Sequence, residues 1–170
     1  ASEPQVRDPV AFDWGADGKL WVAEMGDYPS GTDGKGKAGG VVRWLEDADS
    51  DGRYEKSTVF LDGLNFPNGV MPWDKGVLIS AAPEILYAED TTGDGRADVR
   101  RVLFTGFREG NQQHRMNGFA LGLDNWIYGA NGDSGGTITS KATGARTNIS
   151  GRDFRFKVTG EFETVAGQTQ

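Results

Sequence analysis

The sequence predicts an all-β chain, a β-propeller segment made of four-stranded antiparallel blades. Three observations carry this. Two sequence elements recur in the same order, Asp-Gly pairs stand at 17–18, 51–52 and 94–95, and no segment holds a sustained helical period of apolar residues. Glycine is 26 of 170 residues, about twice its usual share, which favours tight turns over long helices.

The first element begins at Asn68-Gly69-Val70 and runs to Val77-Leu78-Ile79. It recurs from Asn117-Gly118-Phe119 to Trp126-Ile127-Tyr128, offset by 49 at both ends, and more loosely from Val10-Ala11-Phe12 to Leu20-Trp21-Val22. The second element is Asp51-Gly52-Arg53, repeated as Asp94-Gly95-Arg96. The same offset of 43 carries Glu55 onto Asp98, Val59 onto Val102 and Gly63 onto Gly106. Three units follow, 9–64, 66–107 and 116–170, within one domain spanning 1–170.

In the first unit Val10–Trp14, Leu20–Glu24, Val41–Glu46 and Ser57–Leu61 read as strands, because aromatic and β-branched residues fill them and Asp-Gly turns separate them. The third unit repeats the plan with Phe119–Leu123, Trp126–Ala130, Asp153–Val158 and Phe162–Val165. A sandwich or barrel of short strands would not demand a repeated order of elements. A closed propeller takes roughly four to eight blades. Three blades therefore read as half of a six-bladed ring, closed by the remaining blades of a longer parent chain. The Gly-rich loop from Gly26 to Gly40, with Lys35 and Lys37, is long for a hairpin connection and reads as a solvated loop or a lid.

Composition narrows the function. Acidic residues outnumber basic ones 25 to 18, giving a net charge of −7, and a nucleic-acid partner is excluded on that ground. With no cysteine, the chain holds no disulfide, thiolate metal site or covalent c-type haem. No apolar run reaches the length of a membrane-spanning helix. The start, Ala1-Ser2-Glu3-Pro4, reads as a mature chain trimmed of an export signal.

Asp47-Ala48-Asp49-Ser50-Asp51-Gly52 reproduces the first half of a calcium loop, in which alternate oxygens converge on a hard cation and Gly supplies the bend. Glu55 takes the ninth position, and Thr58 stands where an EF-hand places its bidentate Glu. In the second copy Asp90, Asp94 and Asp98 keep positions one, five and nine, and Thr92 replaces the third. Candidate Ca²⁺ ligands are thus Asp47, Asp49, Asp51 and Glu55, then Asp90, Asp94 and Asp98. Hairpin turns using Asp and Gly for backbone geometry alone are the competing reading. It stands level for the first loop and is favoured for the second.

His114 is the sole histidine and lies in the polar run Asn111–Gly118, just before a blade's first strand. Imidazole is the side chain whose ordinary pKa suits a general base near neutral pH. Arg115 offers a cation for an oxyanion or a carboxylate. An idle surface histidine is the alternative. Ser134, in Gly132-Asp133-Ser134-Gly135-Gly136, mimics a serine-protease sequence, and that match is read as coincidence.

The stretches His114–Gly118, Leu121-Gly122-Leu123-Asp124-Asn125-Trp126-Ile127-Tyr128 and Asn131-Gly132-Asp133 resemble the soluble quinoprotein glucose/sorbosone dehydrogenases. Val22-Ala23-Glu24-Met25 with Asp27-Tyr28-Pro29, Gly151–Phe156 and Gly167-Gln168-Thr169-Gln170 resemble more closely a planctomycete and verrucomicrobial group of membrane-bound dehydrogenases, whose chains often carry a c-type haem domain further on. The resemblance implies an extracytoplasmic, periplasmic oxidoreductase. It would act on a sugar or alcohol hydroxyl with pyrroloquinoline quinone (PQQ) as cofactor and the haem domain as electron acceptor. It implies His114 as the base, although His114 stands one residue further from the following Gly than in those enzymes. Arg115, Asn117, Glu24 and Asp27 would orient substrate or quinone. A non-catalytic, calcium-stabilised propeller that binds carbohydrate or protein is the second hypothesis.

Overall fold

In a computed structural model the described residues are 1–169, and Gln170, the end of one quoted motif, lies outside them. The chain is all-β. Fourteen strands form three sheets, and the only helix among the described residues is a single 3-10 turn, Gln112–His114. No helix there is long and apolar enough to cross a membrane.

The first sheet is a meander in chain order, β1 (Pro9–Trp14), β2 (Leu20–Glu24), β3 (Gly40–Glu46) and β4 (Lys56–Leu64). The second begins the same way with β5 (Gly69–Trp73), β6 (Gly76–Ala81), β7 (Glu84–Glu89) and β8 (Val99–Phe107). It then continues into β11 (Gly136–Ser140) and β12 (Arg146–Asn148). The third joins β9 (Asn117–Leu121), β10 (Ile127–Ala130), β13 (Phe154–Phe156) and β14 (Phe162–Thr164). Every strand pair whose register is defined is antiparallel.

Two compact units divide the residues. The first comprises 1–79 and 87–100, the second 80–86 and 101–170. In the first unit the register sets Trp21 opposite Trp44 on one face of β2 and β3 and Val22 opposite Arg43 on the other, and both faces hold buried side chains. Val6, Val22 and Leu45 cluster on the Val22 face with Leu20 and Tyr54 against them, and on the other face Trp21 meets Phe60 edge-on at 4.7 Å. The loop after β7 closes onto this sheet. The Trp44 indole N–H donates to the Gly95 carbonyl at 3.1 Å, and the Ala97 N–H donates to the Phe60 carbonyl at 2.8 Å. On β1, Phe12 and Trp14 remain 62% and 57% exposed.

In the second unit two sheets face each other through phenylalanines. Phe104 and Phe107 of β8 meet Phe156 and Phe154 of β13 at 5.3 and 5.2 Å, and Phe162 stacks on Phe154 at 5.2 Å. Phe104, Phe154 and Phe156 are fully buried. Burying one such ring is worth about 1.5–3 kcal/mol, so this cluster is the main adhesive of the unit. It also dictates a neighbour. A Cβ at Gly129 would lie 2.4 Å from the Phe154 ring, so the β10 backbone can pass beneath that ring only as glycine.

Three expectations need correction. The outer strand β4 runs on to Leu64 because its pairing with β3 continues to Gly40↔Leu64 through a register shift. The first strand of the third unit spans 117–121 rather than 119–123, since Gly122-Leu123-Asp124-Asn125 is a turn closed by the Gly122 N–H to the Trp126 carbonyl at 2.8 Å. That unit also does not simply repeat the four-strand plan. Between β10 and β13 it inserts the hairpin β11–β12, which pairs with β8 through Gly136↔Phe107 and Ser140↔Phe104. The Thr-rich run 136–140 suits an added strand flanked by β8 and β12, where β-branched residues pack well on a half-buried surface, and β12 is left at the edge.

Candidate functional site

The histidine segment is built from its turn outward. The Asn111 side chain accepts the Gln113 N–H at 3.0 Å and its carbonyl accepts the His114 N–H at 2.9 Å, which sets the single 3-10 turn. The loop after β10, Asn131–Gly136, then folds over it. Ser134 Oγ donates to the His114 carbonyl at 2.5 Å, so this hydroxyl braces the turn. Gly132 adopts φ +70° with its Cα so close that a Cβ would lie 2.4 Å from the Arg115 carbonyl oxygen and 2.6 Å from that of His114. Asn131, almost wholly buried, accepts the Gly135 N–H and donates to the Ile149 carbonyl, both at 2.9 Å.

The product of this wrapping is a pair. His114 Nδ1 lies 2.9 Å from Asp133 Oδ2, and both side chains are 37% exposed. A carboxylate on Nδ1 favours the tautomer that keeps the proton there and leaves the lone pair on Nε2. Asp133 is the partner that sequence reasoning missed, although the Gly-Asp that ends the quoted motif was the available signal.

Asp153 anchors the loop from below. Its Oδ1 accepts the N–H of Asn131 at 2.8 Å and of Thr169 at 3.0 Å, and its Oδ2 accepts the Thr169 hydroxyl at 2.6 Å. Partial burial opposes its ionisation, but these donors outweigh it and hold the carboxyl below its ordinary range.

The other residues expected at the site have structural contacts. Arg115 is buried and its Nη2 donates to the Glu109 carbonyl at 2.7 Å, while Asn117 Nδ2 donates to the Arg115 carbonyl at 3.0 Å. In the first unit Glu24 is buried, receives the Arg7 N–H at 2.7 Å and pairs with Arg43 Nε at 2.7 Å. Asp27, fully buried, ties down the Gly-rich loop. Its carbonyl accepts the Gly31 N–H at 2.6 Å, and its Oδ2 accepts the N–H of Gly39 at 3.2 Å and of Phe66 at 2.9 Å.

The two acidic loops share one hydrogen-bond scheme. Asp47 Oδ2 accepts the Gly52 N–H at 2.9 Å as Asp90 Oδ2 accepts that of Gly95 at 2.7 Å. Asp51 receives Arg53 N as Asp94 receives Arg96 N, and Glu55 receives Ala48 N as Asp98 receives Thr91 N. These donors, Gly95 first and then Gly93 and Thr92, hold the Asp90 carboxyl below its ordinary range. The loops differ in what converges. Asp47, Asp49, Asp51 and Glu55 each bring an oxygen within 4.8 Å of the others, a set that suits a hard divalent cation. No such convergence occurs at Asp90, Asp94 and Asp98 among the described residues.

No curated protein matches this sequence. A family model described as a domain of unknown function, DUF7133, matches residues 1–170, and the chain, aligned to it from end to end, belongs to that family.

Proposed function

We propose that the three meanders are consecutive blades of a β-propeller and that this segment carries the proton-abstracting base of an extracytoplasmic sugar- or alcohol-oxidising enzyme. The observation that supports the reading best is the His114–Asp133 pair at 2.9 Å, half-exposed and braced from behind by Ser134, Gly132 and Asn131. Asp133 holds the Nδ1 proton, so Nε2 is the atom that takes a proton from a substrate hydroxyl. The imidazolium that forms is stabilised by the same carboxylate. Arg115 and Asn117 serve as positioning residues, since they fix the backbone beneath the ring.

PQQ supplies a hydride acceptor when bound, but the residues in contact with His114 do not make a seat for its three carboxylates. The nearest charged group is the Asp133 carboxylate, and Arg115 is buried against a carbonyl. No step is therefore routed through the quinone here, and the part assigned to this chain is the proton. Further blades of a parent chain and a c-type haem domain are the partners this reading entails.

The convergence of Asp47, Asp49, Asp51 and Glu55 favours a second reading, a calcium-stabilised propeller that binds carbohydrate without catalysis. Dye reduction across a panel of aldoses and polyols, with PQQ and Ca²⁺ supplied, separates the two. The first reading expects His114→Ala to lower kcat about 10²–10⁴-fold with little change in sugar binding. A wild type that binds a sugar and turns over none of the panel gives the case to the second.

A further inference from the structure

We infer that the segment 167–169 is a strap that sets the His114–Asp133 pair, with Asp153 as its clasp and thereby as a positioning residue for the histidine. The starting point is the backbone at the pair. Gly132 and Asp133 are both left-handed, at φ +70° and +75°. Glycine enters that region freely, whereas an aspartate there is held by its surroundings. In that conformation the Asp133 Oδ2 lies 2.9 Å from His114 Nδ1.

The two amides immediately before Asp133 both run to the strap and its clasp. The Asn131 N–H donates to Asp153 Oδ1 at 2.8 Å, and the Gly132 N–H donates to the Thr169 carbonyl at 3.0 Å. Asp153 takes the Thr169 N–H on the same Oδ1 at 3.0 Å and the Thr169 hydroxyl on Oδ2 at 2.6 Å. Its own N–H donates to the Gly167 carbonyl at 2.7 Å. Hydrogen bonds to a charged group are the strong ones, so one carboxylate makes loop and strap move together. Lifting the strap breaks the Gly132 bond and strips the Asp153 carboxylate of both donors that Thr169 supplies.

The same device recurs in the first unit, where no histidine is present. Asp27, after β2, takes on Oδ2 the N–H of Gly39, just before β3, and of Phe66, just after β4. Asp153, just before β13, takes on Oδ1 the N–H of Asn131, just after β10, and of Thr169, beyond β14. Each carboxylate thus clips the chain leaving the last strand of its sheet to the connection between the second and third strands. The second unit adds Asp133 beside the clipped residues, and there the clip gains a chemical consequence. With the strap released, Asp133 swings off Nδ1, the proton is no longer held there, and Nε2 loses its bias as the acceptor. The chain leading out of β14 thereby governs the site. The importance of that control rests on the reading of His114 as the base; the coupling itself does not.

The test is ¹⁵N NMR of the imidazole in the whole chain, where His114 is the sole histidine. At a pH where the ring is neutral, the wild type should show its two ring nitrogens far apart, the mark of a single tautomer. In Asp153→Ala they should draw together as the tautomers mix. Asp27→Ala breaks the equivalent clip in the first unit and should lower the melting temperature while leaving the ring signals in place. Thr169→Val removes only the hydroxyl. It should speed hydrogen exchange of the Gly132 amide roughly tenfold, the loss of one hydrogen bond to a charged group, and Thr169→Ser should restore the wild-type rate. If Asp153→Ala does not fold, the two Thr169 variants decide. Ring signals unaltered in a folded Asp153→Ala overturn the proposal. So do ring signals that move as far in Asp27→Ala, or a Gly132 amide indifferent to Thr169→Val. Turnover plays no part in these readings, so the strap and the base role can fail separately.

Discussion

Replacing Gly132 by alanine tests whether the loop after β10 is what sets the histidine. Two costs arise, and the structure separates them. The first is conformational. At φ +70° an L-residue loses about 1–2 kcal/mol relative to glycine. The second is steric. The new Cβ would sit 2.4 Å from the Arg115 carbonyl oxygen and 2.6 Å from that of His114, both backbone atoms that cannot swing aside. Forced overpacking of this kind costs about 1–3 kcal/mol. Gly118, four residues beyond His114, isolates the first cost, because it has φ +67° and a Cβ there would meet nothing within 4 Å. Gly118→Ala should therefore lose about 1–2 kcal/mol and Gly132→Ala about 2–5 kcal/mol. At about 2–4 °C per kcal/mol for a chain of this size, differential scanning calorimetry resolves the difference. The histidine gives an independent reading. Gly132→Ala must push the 114–115 backbone away from Asp133, so the ¹⁵N shifts of the imidazole, which report its tautomer, should change there and stay unchanged in Gly118→Ala. Equal melting temperatures for the two variants, or an unaltered imidazole in Gly132→Ala, would refute the wrapped-loop account.

Other consequences are simpler to state. Phe154→Ala removes a fully buried ring that contacts Phe107, Phe156 and Phe162, and chemical denaturation should show a loss of about 3–5 kcal/mol. The Asp153 carboxyl is held below its ordinary value, so its contribution is present above pH 4 or so and is lost as pH falls through the lowered folded value. Melting curves of Asp153→Asn and wild type should therefore differ at neutral pH and converge in acid. Val10, Phe12 and Trp14 present an exposed apolar strip on β1, an edge strand of its sheet, and sedimentation of the isolated chain should show association that Trp14→Lys reduces.

The fold was legible where repetition and turn chemistry agree. Leu20–Glu24 and the meander of the first unit follow from aromatic and β-branched runs punctuated by Asp-Gly, and Gly18, Gly52 and Gly95 all adopt the positive φ those turns require. The hairpin β11–β12 was not legible by the same route, because an insertion breaks the period that exposes the rest. Its stability comes from pairing with β8, some thirty residues earlier, and local sequence does not announce a distant partner. The site divides similarly. A lone histidine in a polar run stands out by itself. Its carboxylate, 19 positions later, becomes visible only when Gly132 lets the chain double back.

The duplicated acidic loops carry the argument about metal furthest, because the second is an internal control for the first. Both make the same turn with the carboxylates at positions one, five and nine, so the turn has no need of the third. In the second loop the intervening residues are donors. Thr91 Oγ1 donates to Asp98 at 2.9 Å and Thr92 Oγ1 to Asp90 at 3.2 Å. In the first loop those positions are Ala48, which offers no hydroxyl, and Asp49, which can only accept. The first loop therefore has two fewer hydroxyl donors and one more anion than a turn of identical shape, and its four converging carboxylates are met within the loop by backbone N–H groups rather than hydroxyls. A cation corrects that balance, and the two restorations Ala48→Thr and Asp49→Thr correct it without one. Ca²⁺ at about a hundred times its dissociation constant should raise the stability of the wild type by about 2.7 kcal/mol, and the doubly restored loop should be stable without calcium and indifferent to it. A wild type whose melting temperature ignores Ca²⁺, Mg²⁺ and chelator alike would mean that solvent alone screens the four carboxylates.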